Sequence, residues 1–271
     1  MKRERAPRLM TGAGVVAALT FAFLYLPIVT LVALSFNAND LTTIWGGFSP
    51  KWYGVVVAND DILRATRNSL IVAGTASLAG TAASLAAALG LAGAGRWERT
   101  LAEGLLALPL LVPEIVTAVA LLLTFVIVGF PLGLTSVIIA HTVFCIPFAY
   151  YPIRSRLAAL DPALMEAASD LYASPWQRFM RIELPLLAPG VLAGALLAFI
   201  SSLGDFVITY FVAGPGATTL PVYIYGMIRV GVTPEVNALT AILLFVTIAV
   251  ITVAFLLGQR PETDQNGGIE S

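Results

Sequence analysis

Charge is what this chain has least of. Asp, Glu, Lys and Arg make up 11% of its 271 residues against 58% hydrophobic, too little polar surface to cover a soluble globule of that length. The only lysines are Lys2 and Lys51, and neither sits in a glycine-rich phosphate loop, so no ATP-hydrolysing site is expected in the chain itself. Gly12-Ala-Gly14 and Gly93-Ala-Gly95 are fragments that lack the third glycine and a preceding strand. The single cysteine, Cys145, lies in an apolar run, has no disulfide partner and says nothing about redox compartment. No His-Glu-x-x-His, Gly-x-Ser-x-Gly or paired-cysteine pattern occurs, which removes support for a metal site or a hydrolase. His141 is the only histidine; it is read as a hydrogen-bonded packing residue, the alternative being a proton shuttle.

What the chain has instead is apolar length. A bilayer core about 30 Å thick takes roughly 20 apolar residues per helix, and six runs qualify: 12–35, 69–92, 104–128, 132–152, 190–213 and 237–258. None alternates with period two, which disfavours a barrel, so the expected fold is an all-α polytopic membrane protein with six transmembrane helices. Lys2, Arg3, Arg5, Arg8, Arg96, Arg99, Arg154, Arg156, Arg178, Arg181 and Arg260 fall on one side of such a topology. Only Lys51, Arg64, Arg67 and Arg229 fall on the other, which predicts that both termini are cytoplasmic. A cleaved signal peptide is the alternative for the first run, but the apolar stretch exceeds a signal core and lacks a convincing small-x-small cleavage site. The domain map is a cytoplasmic segment 1–11, a permease-like body 12–258 and a polar tail 259–271 expected to be disordered.

Between the spans, three features stand out. The outer loop 36–66 carries Trp45, Phe48, Trp52 and Tyr53 and reads either as an interfacial aromatic belt or as a piece meeting an external partner. In the second span, Ala76, Gly80, Ser84 and Ala88 recur every four residues, a smooth face for close helix approach. Pro109, Pro113, Pro131 and Pro147 predict kinked third and fourth spans. The inner loop 153–189 reads as two short helices. Asp161 caps the first with Pro162 behind it, and Leu164, Ala167, Ala168 and Leu171 share a face. Ser174 and Gln177 form a capping box for the second, which Leu184-Pro185 and Pro189 are expected to end. A helix with that alanine face either lies in a groove of another protein or packs on its own bundle.

Two acids interrupt the apolar runs. Glu114 follows Pro113 at roughly 15 Å into the third run, and Asp205 follows Gly204 in the fifth. Acids at such depth are costly and face cavities or partners, so both are candidate solute-path residues; the alternative is a structural role at a kink. Phe206, Tyr210 and Phe211 beside Asp205 supply ring faces suited to an organic cation.

Glu166-Ala167-Ala168-Ser-Asp170-Leu171-Tyr172, continuing through Ile182-Glu-Leu184-Pro185, resembles the EAA loop of binding-protein-dependent ABC permeases. Phe211-Val-Ala-Gly-Pro-Gly, Thr219-Leu-Pro-Val-Tyr-Ile-Tyr and Gly231-Val-Thr-Pro-Glu-Val-Asn-Ala238 look like the second permease subunit of spermidine/putrescine importers. The similarity runs from about residue 12 to residue 258. It implies a type I ABC importer permease fold in the cell inner membrane and no catalysis by this chain. It further implies a homologous second permease subunit, a homodimeric ABC ATPase using ATP and Mg, an extracytoplasmic solute-binding protein and a small cationic solute. No bound cofactor and no nucleic acid are expected.

By that resemblance Glu166, Ala167, Ala168, Asp170, Leu171, Tyr172, Ile182, Leu184 and Pro185 couple to the ATPase, and Glu114, Asp205, Phe206, Tyr210 and Trp45 line the solute path. Two positions depart from the pattern. Gly204 stands where the family carries a second acid, which leaves a less acidic site and weighs against spermidine-like polycations relative to putrescine-like or other small amines. Tyr172 stands where the family carries glycine. A left-handed tyrosine costs about 1 kcal/mol, so the turn is predicted to be rebuilt with Tyr172 at negative φ and its ring against the loop or the ATPase. The rival functions are a proton-coupled secondary transporter using Glu114, Asp205 and His141, a membrane scaffold for a cytoplasmic enzyme, and an ABC permease for a solute other than a polyamine.

Overall fold

The computed structural model describes the backbone of residues 9–258 and side chains from 12 to 252; the basic start and the polar tail, with the expectations made for them, lie outside the described residues. Described residues form α1 (Leu9–Leu34), α2 (Lys51–Ala58), α3 (Asp60–Ala92), α4 (Arg96–Leu111), α5 (Glu114–Val128) and α6 (Leu134–Ala158). They continue as α7 (Pro162–Asp170), α8 (Pro175–Arg178), a π turn (Phe179–Glu183), α9 (Leu184–Gly204), α10 (Val207–Val212), α11 (Leu220–Val230) and α12 (Pro234–Gly258). Five helices in that set are long and apolar enough to cross a membrane, or six if the bent pair α4 and α5 is one span. The chain is thus an all-helical, multi-pass membrane protein.

The described residues divide into two compact units, one holding 9–62 and 224–246, the other 63–223 and 247–258. In the first, the apolar window of α1 buries nothing, which suits a helix bathed in hydrocarbon. The following loop is built on Asn37, a fully buried side chain. Its Nδ2 donates to the carbonyls of Leu41 (3.1 Å) and Ile44 (2.9 Å), and its Oδ1 accepts from the amides of Asn39 (3.1 Å) and Gly46 (2.8 Å). Trp52 Nε1 donates to the Asn37 carbonyl at 2.8 Å, and the rings of Phe36, Phe48 and Tyr53 stack beside it. The outer segment expected at 36–66 therefore contains a helix, α2, and the start of α3. Asn59 caps α3 by accepting from Asp61 and Ile62, with Asp60 and Asp61 favourably placed in its first turn.

The second unit is held by small residues. A Cβ on Gly194 would come within 2.7 Å of the Ala149 carbonyl oxygen, and one on Gly190 within 2.6 Å of Arg156 Cβ, so α9 lies directly on α6. Without a hydrophobic force between helices in lipid, such close approach supplies the packing attraction. The small-residue face of α3 meets the same helix: Gly80 abuts Cys145, and Ser84 Oγ donates to the Ile146 carbonyl at 2.8 Å. The stripe therefore packs within its own chain. Cys145 is buried and free.

Two spans differ from expectation. The third run, 104–128, is not one kinked helix; α4 and α5 meet at 106°. Val112 precedes Pro113 and is held extended (φ −79°, ψ 135°), because the proline ring clashes with a helical residue before it. Glu114 consequently opens α5 rather than lying midway along a straight span. In the fifth, Leu184-Pro185 and Pro189 do not end the loop helix. The helix continues from Pro175 to Gly204, because the π turn widens the backbone just before Pro185 and the Leu184 amide bonds back to Phe179. The real break falls at Asp205 (ψ 130°), after which α10 starts as a separate six-residue helix, so the run 190–213 is two pieces.

Candidate functional site

Intramembrane acids come together at the two helix breaks. Glu114 sits in the first turn of α5 and is exposed. Asp205 is 5% exposed. Its Oδ1 accepts from the Thr209 amide (3.1 Å) and hydroxyl (3.3 Å), and its Oδ2 from the Ile208 amide at 3.4 Å, so it caps α10. The Glu114 carboxyl approaches Asp205 closely enough to interact with it. Phe206 and Tyr210 lie with ring centroids 5.3 Å apart on the same stretch, and Tyr210 is exposed.

Beneath them, α10 packs on α5 and α6 through a core of Ala118, Phe125, Val137, Ala140, Ile208 and Val212. Ser136 Oγ donates to the Val212 carbonyl at 2.8 Å and closes the far end of α10. Gly214 follows where a Cβ would run into the Leu132 carbonyl, and Asn68 Nδ2 ties the next turn down through the carbonyls of Gly216 (2.9 Å) and Thr218 (3.0 Å). The Phe211-Val-Ala-Gly-Pro-Gly stretch is thus a rigid support for the acid cluster. His141, read from sequence as a packing residue, is buried and hydrogen-bonded; the sequence did not show that it touches Asp205, with Nε2 at 3.1 Å from Oδ1. Trp45 is exposed on the Asn37 loop of the other unit. Among the described residues no cluster of metal-ligating side chains occurs.

The second candidate region is the 158–185 hairpin. Asp161 Oδ1 accepts from the Ala163 amide at 2.9 Å with Pro162 in the first turn, and Ser174 and Gln177 form the expected reciprocal capping box. Tyr172 corrects the expectation made for it: its φ is +55°, and its side chain is 96% exposed rather than laid on the loop. The cause is the closing geometry of α7. The Ala173 amide bonds to the Ala168 carbonyl and the Tyr172 amide to that of Ser169, both at 3.0 Å, a Schellman closure that requires a left-handed residue at position 172. Two hydrogen bonds offset the conformational cost of about 1 kcal/mol.

The alanine face is also divided. Ala168 is 4% exposed and packs into the chain, whereas Leu164, Ala167, Leu171 and Tyr172 are presented outward. Glu166 is exposed and lines a cavity of about 500 Å³ together with Arg99, Tyr150, Arg154, Met165 and Glu183. Glu103 forms an ion pair with Arg154 (Nε to Oε1, 2.8 Å) and accepts from Arg99 Nε (3.2 Å), pinning α4 to the end of α6 beside this cavity. Ile182 and Leu184 are half-buried and Pro185 is exposed, all on the continuous helix that joins the hairpin to α9. Asp170 ends α7 in solvent.

Comparison with known proteins places this geometry. Residues 79–260 match the family described as binding-protein-dependent transport system inner membrane component. The chain is 38% identical over 264 residues to the spermidine/putrescine transport system permease protein PotC of Shigella flexneri, covering 96% of this chain and 98% of that one. It is 39% identical over 255 residues to the putrescine transport system permease protein PotI of Escherichia coli K12, covering 92% and 91%. Among solved structures, a bacterial ABC transporter importing the acidic polysaccharide alginate superposes with TM-score 0.72 at 16% identity over 94% of this chain and 96% of that one. The MetNI methionine ABC transporter superposes with TM-score 0.62 at 22% identity, over 73% and 94%. Those two show a shared ABC importer permease fold. By family, sequence and fold alike, this chain belongs to the binding-protein-dependent transport system inner membrane components, as a non-catalytic permease subunit.

Proposed function

We propose that the chain is one of two homologous permease subunits of an ATP-driven importer that carries a short polyamine of the putrescine kind into the cytoplasm. The observation that carries the solute reading is the meeting of Glu114 with Asp205 on the stretch that carries the Phe206 and Tyr210 rings, within the second unit. An organic ammonium needs negative charge and π faces together in a water-poor site, and this cluster supplies both. The names of PotC and PotI support a polyamine, and Gly204 in place of a second acid favours the smaller dication.

The basic residues of the α3–α4 turn and of the hairpin support a cytoplasmic position for α7 and, by the same bias, for both termini. Glu166, Ala167, Leu171 and Tyr172 then face a homodimeric ATPase that uses ATP and Mg, and Asp170 borders that surface. Ala168 holds the hairpin in shape, while Ile182, Leu184 and Pro185 pass its movement into α9. Closure of the ATPase dimer opens the path outward to a solute-binding protein at the outer loops, Trp45 among them, and hydrolysis resets it. Uptake of labelled putrescine into proteoliposomes holding the complete assembly tests this reading. Uptake is expected to require internal ATP and binding protein and to survive a protonophore. Uptake that ignores ATP and collapses with the proton gradient would sink the proposal.

A further inference from the structure

His141 links three elements of the chain through one ring. It lies on α6 with no exposed surface. Nδ1 is 2.7 Å from Ser202 Oγ in the last turn of α9, and Nε2 is 2.9 Å from Thr209 Oγ1 on α10 and 3.1 Å from Asp205 Oδ1 at the break between them. One proton arrangement satisfies every group. The Ser202 hydroxyl donates to Nδ1, the Nε2 proton is shared by Thr209 Oγ1 and Asp205 Oδ1, and the Thr209 hydroxyl donates to Asp205.

Something must hold that break. At six residues α10 is too short to be stable alone, and its N-cap residue Phe206 offers no side-chain cap, so the first turn rests on Asp205. Across the break the Asp205 amide bonds to the Ser202 carbonyl at a long 3.4 Å. The imidazole bridges the same gap from the side.

We propose that His141 is a positioning residue of the solute site: by clamping Asp205 to Ser202 and Thr209 it fixes the turn that carries Phe206 and Tyr210 and the acid that Glu114 faces. This rests on the reading of the Glu114 cluster as the solute path. It divides the labour within that cluster. Asp205, buried and fully engaged, acts through its neighbours, while exposed Glu114 meets the ammonium.

The test is uptake of labelled putrescine per ATP hydrolysed, in proteoliposomes holding the whole assembly, for His141→Leu and His141→Gln. Leucine fills the volume without hydrogen bonds. Glutamine can donate on one side and accept on the other, as the neutral ring does. His141→Leu is expected to lower uptake about tenfold at near-normal binding-protein-stimulated ATP hydrolysis, and His141→Gln to restore most of it. A packing residue would instead tolerate leucine as well as glutamine, and equal, wild-type uptake per ATP in both variants overturns the proposal. Should His141→Leu fail to assemble, Ser202→Ala and Thr209→Val each remove one end of the clamp and are expected to lower uptake per ATP several-fold; wild-type values in both overturn it equally. Glu114→Gln in the same assay separates the two readings. If it transports normally, the solute path itself is wrong, whereas if it alone is impaired, only the role of His141 falls.

Discussion

Glu114→Gln is expected to cut putrescine uptake by about ten- to a hundredfold while the assembly folds, binds its ATPase and hydrolyses ATP when stimulated by binding protein. Glutamine keeps the shape and removes the charge. A hydrogen bond to a charged partner is worth about 1.5–3 kcal/mol, and about 1.4 kcal/mol is a factor of ten, which gives that range. The fold has little at stake in the side chain. Glu114 is exposed at the start of α5, so the change alters its contact with Asp205, where the glutamine amide can donate instead, and gives up at most a dipole interaction of about 0.3–1 kcal/mol. Asp205→Asn is the informative contrast. It puts an NH2 donor in place of one of the two acceptor oxygens, among groups that themselves donate to Asp205 and hold α10, so it is expected to lower the yield of folded complex as well as uptake. Measuring uptake beside complex yield for both variants separates the acid that meets solute from the acid that builds the site.

Ala167→Arg should abolish uptake by detaching the ATPase, with the permease itself intact. Ala167 is exposed on the outward face of α7 between Leu164 and Leu171, so the chain loses no packing when it is enlarged. A long charged side chain at the centre of a shallow helix-in-groove contact is both bulk and an unpaired charge, which interfaces of this kind reject. The expected result is loss of ATPase co-purification with an unchanged melting temperature of the membrane subunits in detergent. Ala168→Arg, one residue on, is expected to fail differently. That position is 4% exposed, so arginine there disrupts the hairpin and lowers the melting temperature as well.

The parts of this architecture that adjacent residues encode were legible beforehand. Asp161 accepts from the Ala163 amide, with Pro162 in the first turn, and Ser174 and Gln177 bond reciprocally, all within three residues, so the sequence alone predicts both helix starts in the hairpin. Apolar length revealed the spans for the same reason, because a bilayer imposes it residue by residue. Tyr172 was misjudged because its conformational cost is local while the gain, two bonds to the carbonyls of Ala168 and Ser169, depends on how the helix closes. Proline marked the break before Glu114 but not its 106° angle, which is set by what α4 and α5 pack against. Pro185 announced a helix end that a π turn absorbs. His141 was the least legible residue. Its partners Ser202 and Thr209 are 61 and 68 positions away, and no spacing rule connects a histidine on one helix to a break between two others.

Everything mechanical in this account passes through the outward face of α7, and one crosslink interrogates it. Leu171→Cys places a thiol on an 82% exposed position, while the native Cys145 is buried and leaves the reaction selective. With a short thiol crosslinker on the purified assembly, the account predicts a covalent adduct between this chain and the ATPase subunit, with a yield that changes between nucleotide-free and ATP-bound states. An assembly that transports putrescine normally yet gives adducts only within the membrane subunits, in every nucleotide state, would contradict it.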